Sequence, residues 1–125
     1  MVEKYSALPM DRLRVVSNFE DVGLSRISRG IIFVFAAWSG PSVLAFRKFT
    51  EFLSSFKTDS LELIVLDIDC LTMESATILF SNETSRFGGA GELAWIRDGI
   101  VVGDCLWFDE REQLAQRHTM DLLGD

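Results

Sequence analysis

Ile31-Ile32-Phe33-Val34-Phe35-Ala36 carries no polar side chain, and most of its residues are β-branched or aromatic. A strand with one face in water alternates apolar and polar positions, whereas a strand without polar positions needs cover on both faces. This run therefore calls for a sheet with helices above and below it, an α/β architecture. The chain supplies the rest of such a unit. Trp38-Ser39-Gly40-Pro41-Ser42 reads as a loop. Phe46, Phe49, Phe52, Leu53 and Phe56 then recur at helical spacing, which predicts a helix to about Phe56 with its stripe in the core. Pro41 suits the first helical turn, where a missing N–H costs nothing. Leu61 to Asp69 is a second mostly apolar strand, and strand, helix and strand make a right-handed βαβ crossover.

Leu13-Arg14-Val15-Val16 reads as a further strand. Ser17 and Asn18 can cap a helix expected from Phe19 to about Ser28, with Gly30 ending it. Its apolar positions Phe19, Val22 and Ile27 share one face only loosely. Thr72 to about Phe80 reads as a short helix, and Ser81 to Gly91 as a polar loop. Leu93–Arg97 and Ile100–Asp104 flank Asp98-Gly99, a pair suited to the positive φ that a two-residue hairpin turn requires. A last helix is expected from Asp109 to about Leu123. Asp109, Glu110 and Glu112 sit in its first turn and Arg117 and His118 toward its end, as the helix dipole favours. The order βαβαβαββα predicts a central mixed sheet of about five strands with helices on both faces, in a single domain over residues 1–125.

Charge and composition narrow the function. A net charge of −7 and a pI near 4.6 repel phosphate backbones and argue against nucleic-acid binding. Met1 to Ser6 lacks the basic region and apolar core of a secretory signal. The longest apolar run, Ile31 to Trp38, falls well short of the about 20 residues needed to cross a bilayer. The expectation is a soluble, cytoplasmic protein without a membrane partner. Cys70, Cys105 and His118 are too few for a structural zinc site, which takes about four ligands. The cysteines read as reduced thiols packed as small hydrophobes, although a disulfide between them stays open. Asp67 and Asp69 lie on one face of a strand end and could hold Mg²⁺ with Glu74; capping the next helix or facing solvent is the commoner use of such acids. Gly88-Gly89-Ala90-Gly91 does not open a helix after a strand, so it is a poor phosphate cradle. A tight approach or positive φ accounts for it better. No metal or cofactor is expected.

The segment Ala36-Ala37-Trp38-Ser39-Gly40-Pro41-Ser42 resembles the active-site segment of thioredoxin, Trp-Cys-Gly-Pro-Cys, with serine in place of both cysteines. Leu66-Asp67-Ile68-Asp69 at the end of the third strand and Trp95-Ile96-Arg97-Asp98-Gly99 at the late hairpin are similar too. The likeness runs from about Leu13 to Leu123, with a few extra residues between Asp69 and Gly91. It implies a thioredoxin-like fold. The family's nucleophile corresponds to Ser39 and its resolving cysteine to Ser42. Thiol–disulfide exchange needs a thiolate attacking sulfur, and a serine hydroxyl neither ionises at neutral pH nor forms the S–S bond. The resemblance also places the family's buried acid at Phe33, that acid's lysine partner at Val65, and the cis-proline facing the active site at Gly91. An apolar pair in place of an ionisable one avoids the desolvation of two charges, as suits a site with no proton to move. A laboratory Cys→Ser trap would leave these three positions alone, so the pattern reads as a naturally redox-inactive relative.

The leading expectation is a non-enzymatic module that binds a protein or peptide through the former active-site loop, Trp38, Ser39, Gly40, Pro41 and Ser42, and the facing segment Ala90, Gly91 and Glu92. Trp38 suits an interface hot spot, and backbone groups near Gly91 suit an extended peptide added as a strand. The hydroxyls of Ser39 and Ser42 suit helix capping more than anion binding. His118 falls on the terminal helix, which in this fold packs away from the loop, leaving a serine nucleophile without a base. One alternative is a thiol oxidoreductase, latent or derived, using Cys70 or Cys105. Another is a structural subunit or assembly factor acting through the acidic last helix or through Trp107-Phe108, whose aromatics could also join a homodimer.

Overall fold

The apolar run lies at the centre of the sheet. The computed structural model describes residues 2–55, 61–80, 91–105 and 112–124. Its strands are β1 (Leu13–Val16), β2 (Arg29–Phe35), β3 (Glu62–Asp67), β4 (Glu92–Arg97) and β5 (Ile100–Cys105), and its helices are α1 (Gly40–Ser54), α2 (Met73–Leu79) and α3 (Glu112–Leu123). The five strands lie in the order β1-β3-β2-β4-β5. β3 runs parallel to β1 and β2, while β4 runs antiparallel to β2 and β5. β2 thus has ladder partners on both sides, which satisfies backbone groups that water cannot reach.

Alternation along β2 divides the core in two. Ile31, Phe33 and Phe35 join Phe46, Phe49 and Leu53 of α1 and Ala115 and Leu122 of α3. Ile32 and Val34 join Val22, Ile27, Ile64, Leu66, Leu79 and Phe80 on the opposite face. Each fully buried side chain of this kind contributes about 1.5–3 kcal/mol over its exposed state. In the expected aromatic stripe, Phe46 and Phe49 are fully buried and Phe52 packs half-buried against them; Phe56 lies outside the described residues.

The segment after β1 departs from the helix expected at Phe19–Ser28. It forms two short 3₁₀ turns, Phe19–Val22 and Leu24–Arg26, separated by Gly23 at φ 63°. Asn18 caps the first through the Asp21 N–H, and Gly23 donates its own N–H to the Glu20 carbonyl. A left-handed glycine in mid-segment stops an α-helix, and the loose apolar pattern gave a longer helix no single face to bury. Gly30 does not end a helix but lies buried inside β2, where a Cβ would stand 2.6 Å from the Ile27 side chain. Arg14 holds the first turn down: its guanidinium pairs with Glu62 and donates to the carbonyls of Asp21 and Val22 at 2.8 and 2.7 Å.

The βαβ unit and the hairpin match expectation. Asp98 and Gly99 adopt φ 51° and 79°, and their N–H groups donate to the Ser28 and Ile27 carbonyls. Strand β3 stops at Asp67, and Ile68–Cys70 forms a 3₁₀ turn. Thr72 and Ser75 build a reciprocal capping box on α2. The last helix is described from Glu112; Asp109, Glu110, Trp107 and Phe108 lie outside the described residues.

Helix α3 is fixed to the sheet by Trp95, whose Nε1–H donates to Thr119 Oγ1 at 3.0 Å in a fully buried setting. The His118 ring lies on the same indole, centroids 4.8 Å apart, and Gly103 leaves room for it, since a Cβ there would meet His118 Nδ1 at 2.7 Å. Thr119→Val keeps the shape and strands the indole donor. It is expected to cost about 1–3 kcal/mol in urea unfolding, with Thr119→Ser recovering most of it; a Thr119→Val variant as stable as the parent would remove this bond from the docking of α3.

Candidate functional site

The carboxyl ends of β2 and β3 and the start of β4 meet at one end of the sheet. β2 runs out at Phe35, and the chain crosses Ala36, Ala37 and Trp38 to enter α1. Glu92 is opposite Val34, so Gly91 lies beside Phe35. The topology therefore brings the Trp38 loop and the Gly91 segment to the same sheet end, as expected; Ala90 lies outside the described residues.

The two serines hold the loop from within. Ser39 is the N-cap of α1, with extended backbone, and its Oγ accepts the Ser42 N–H at 3.4 Å. Ser42 is fully buried, and its Oγ accepts the Ala36 N–H at 3.0 Å. That bond ties the end of β2 to the first turn of α1 and satisfies a buried backbone donor just past the last strand residue. Pro41 stands in the first helical turn. Around this frame, Trp38 is 65% exposed, and Gly40 and Pro41 are exposed as well. Trp38 thus stands mostly in solvent.

Beneath the loop the site is aromatic and uncharged. Phe33 pairs with Val65 in register, Leu93 flanks its other side, and all three are buried. The Phe33 ring meets Phe46 of α1 edge-on at 5.1 Å, Phe35 meets Phe46 at 5.2 Å, and Tyr5 stacks on Phe35 at 6.3 Å. Such edge-to-face packing adds about 0.5–1.5 kcal/mol per pair beyond area burial. The described residues contain no cis peptide bond, and Gly91 has φ 93°. Proline, fixed near −65°, has no access to that conformation.

The placement of Glu92 was not legible beforehand, whereas Asp67 takes the commoner capping role. Glu92 is fully buried; it stands opposite Val34 and points to the α2 face of the sheet, not to the loop. Its backbone belongs to the β2–β4 ladder, so among the described residues only Gly91 precedes that ladder at the loop end. Asp67 caps its own 3₁₀ turn by accepting the Asp69 N–H at 2.9 Å, and no cluster of three His, Cys, Asp or Glu side chains among the described residues is placed to hold a metal ion. Cys105 is buried in the α1/α3 core, whereas Cys70 packs half-buried against the other face, and both are thiols. The sheet between them rules out the disulfide that sequence left open.

No protein-family model matches the chain, and no curated protein matches it. Solved structures do. Thioredoxin from Trypanosoma brucei brucei superposes with a TM-score of 0.67 at 14% identity, covering 95% of this chain and 97% of that one. Thioredoxin O2 from Arabidopsis thaliana, in its oxidised state, gives 0.60 at 15%, covering 90% and 99%. Plasmodium falciparum thioredoxin gives 0.55 at 22%, covering 83% and 97%. The chain has the thioredoxin fold. Within the thioredoxin fold, loop 38–42 occupies the turn between the central strand and the first long helix; Ser39 caps that helix and Ser42 accepts the Ala36 N–H. No described helix is long and apolar enough to cross a membrane.

The two serines should differ in weight. Ser42→Ala removes the acceptor of a buried N–H and is expected to cost about 1–3 kcal/mol. Ser39→Ala removes a long capping bond and should cost nearer 1 kcal/mol. Urea unfolding of both variants tests the order, and a reversal would mean that the Ala36–Ser42 bond does not fix the loop.

Proposed function

We propose that this chain is a non-catalytic binding module of the thioredoxin fold, which holds a protein or peptide partner at the sheet end bearing Trp38, Gly40 and Pro41. The observation that carries this reading is the state of the two serines. Ser39 accepts the Ser42 N–H and Ser42 accepts the Ala36 N–H, so both oxygens are spent on the loop's own backbone. Neither can serve as a redox sulfur, and no described histidine lies near them: His118 rests on Trp95 and Gly103, at the β5 side of the sheet. An apolar Phe33–Val65 pair beneath the loop supports the same reading, because it offers no group to take or give a proton.

What remains outward is a large aromatic on a rigid support. Tryptophan buries much area at little cost in rotamer freedom and is enriched at hot spots. An extended segment laid beside Gly91 would meet Trp38 at the same sheet end. Of the oxidoreductase alternatives using Cys70 or Cys105, the one that pairs the two is disfavoured by their positions on opposite faces of the sheet, since a disulfide needs Cα atoms within about 7 Å.

Two measurements test the proposal. In an insulin-reduction assay with dithiothreitol, the protein should give no turnover above the reductant alone; turnover that Cys70→Ser abolishes would replace this reading with a thiol enzyme. In a crosslinking pull-down from the native organism, Trp38→Ala should lower recovery of the dominant partner about tenfold or more. A partner set untouched by Trp38→Ala would move the binding face elsewhere.

A further inference from the structure

A cavity of about 260 Å³ lies between the first 3₁₀ turn after β1 and the start of α2. Phe19 and Glu20 enter its lining from that turn, and Thr72, Glu74 and Ser75 enter from the cap and first turn of α2. The fold thus brings two carboxylates that are far apart in sequence to one concave site. No lysine, arginine or histidine lines it. Glu20 and Glu74 are exposed, and among the described residues neither carboxylate joins an ion pair or accepts a hydrogen bond. The Thr72 and Ser75 hydroxyls are spent on each other and on each other's N–H groups. The two carboxylates are therefore the polar groups that the cavity offers to a ligand.

We propose that this cavity takes the guanidinium of an arginine side chain presented by a protein partner. Two like charges that share one site favour a cation between them. A metal ion is a poor choice for it, since no three His, Cys, Asp or Glu side chains among the described residues are placed to hold one. An organic cation needs fewer donors and brings an apolar stem, which the half-buried Phe19 can cover. Aromatic rings attract such cations as well. Guanidinium fits better than ammonium, because its planar fork donates to two carboxylates at once and stacks on a ring.

The volume points to one side chain. Pockets for whole small molecules run to about 300–1,000 Å³, more than this cavity holds. The host's net charge of −7 also draws a basic partner toward it. The cavity contains no residue of the Trp38 loop, so the assignment holds whether or not that loop binds anything.

The test titrates N-acetyl-arginine amide into the full, isotope-labelled chain and follows the backbone amides by NMR. Saturable shifts are expected at Phe19, Glu20, Glu74 and Ser75. Glu20→Gln and Glu74→Gln should each weaken binding about threefold or more, and the double variant about tenfold or more. Glu51→Gln removes the same charge from α1, outside the cavity, and should change affinity less than about twofold. N-acetyl-citrulline amide, with the same shape and no charge, should give no saturable shift at these four residues. Circular dichroism checks that each variant is folded. The proposal is overturned if the citrulline compound binds equally well, if the double variant binds like the parent, if Glu51→Gln weakens binding as much as the cavity variants, or if the shifts saturate at other residues. Butylguanidine carries the same cation without peptide groups and should bind no more tightly than the arginine amide. Binding tenfold tighter would assign the cavity to a free small guanidinium and overturn the protein partner.

Discussion

The complete burial of β2 is the constraint on which the remainder of the structure rests. A strand with water on neither face needs a ladder neighbour on each side and cover on both faces. β3, parallel, and β4, antiparallel, supply the neighbours. α1 and α3 cover the Phe33 face, and α2 with the 3₁₀ turns after β1 covers the Val34 face. The end of β2 is then the one place where its chain emerges, and there the Trp38 loop must turn into α1. The candidate binding face is thus a by-product of how the most apolar segment is enclosed.

The serines show how one position can serve scaffold and chemistry differently. At a helix N-terminus a side chain with a lone pair can accept a free N–H. Ser39 does so for the Ser42 N–H, whereas the Ser42 hydroxyl reaches back to accept the Ala36 N–H at the strand end. The same geometry around a sulfur would favour a thiolate; around oxygen it yields a cap. Below, Phe33, Val65 and Phe46 close the space with carbon. A charged pair there would require desolvation that only a proton-transfer role could justify.

Much of this was legible in one dimension. The period-two and continuous apolar runs gave all five strands to within about two residues, and Asp98-Gly99 announced its turn. The first helix after β1 was misjudged because the apolar positions Phe19, Val22 and Ile27 were read as a face, while Gly23 at φ 63° and the hold of Arg14 on the Asp21 and Val22 carbonyls make two tight turns instead. The Arg14 guanidinium is in turn paired with Glu62 of β3, a contact between segments distant in sequence that no local pattern encodes.

What the sequence by itself determined is the identity of the atoms: serine hydroxyls at 39 and 42, apolar side chains at Phe33 and Val65, and a tryptophan in the loop between strand and helix. Only the tertiary structure decided which of those groups face water. Trp38, Gly40 and Pro41 are outside, Ser42 and Glu92 are inside, Cys70 and Cys105 are divided by the sheet, and among the described residues β5 pairs with β4 alone. The reason is physical: side-chain chemistry belongs to each residue, but burial and pairing belong to the whole packing, and strands far apart in the chain settle them jointly.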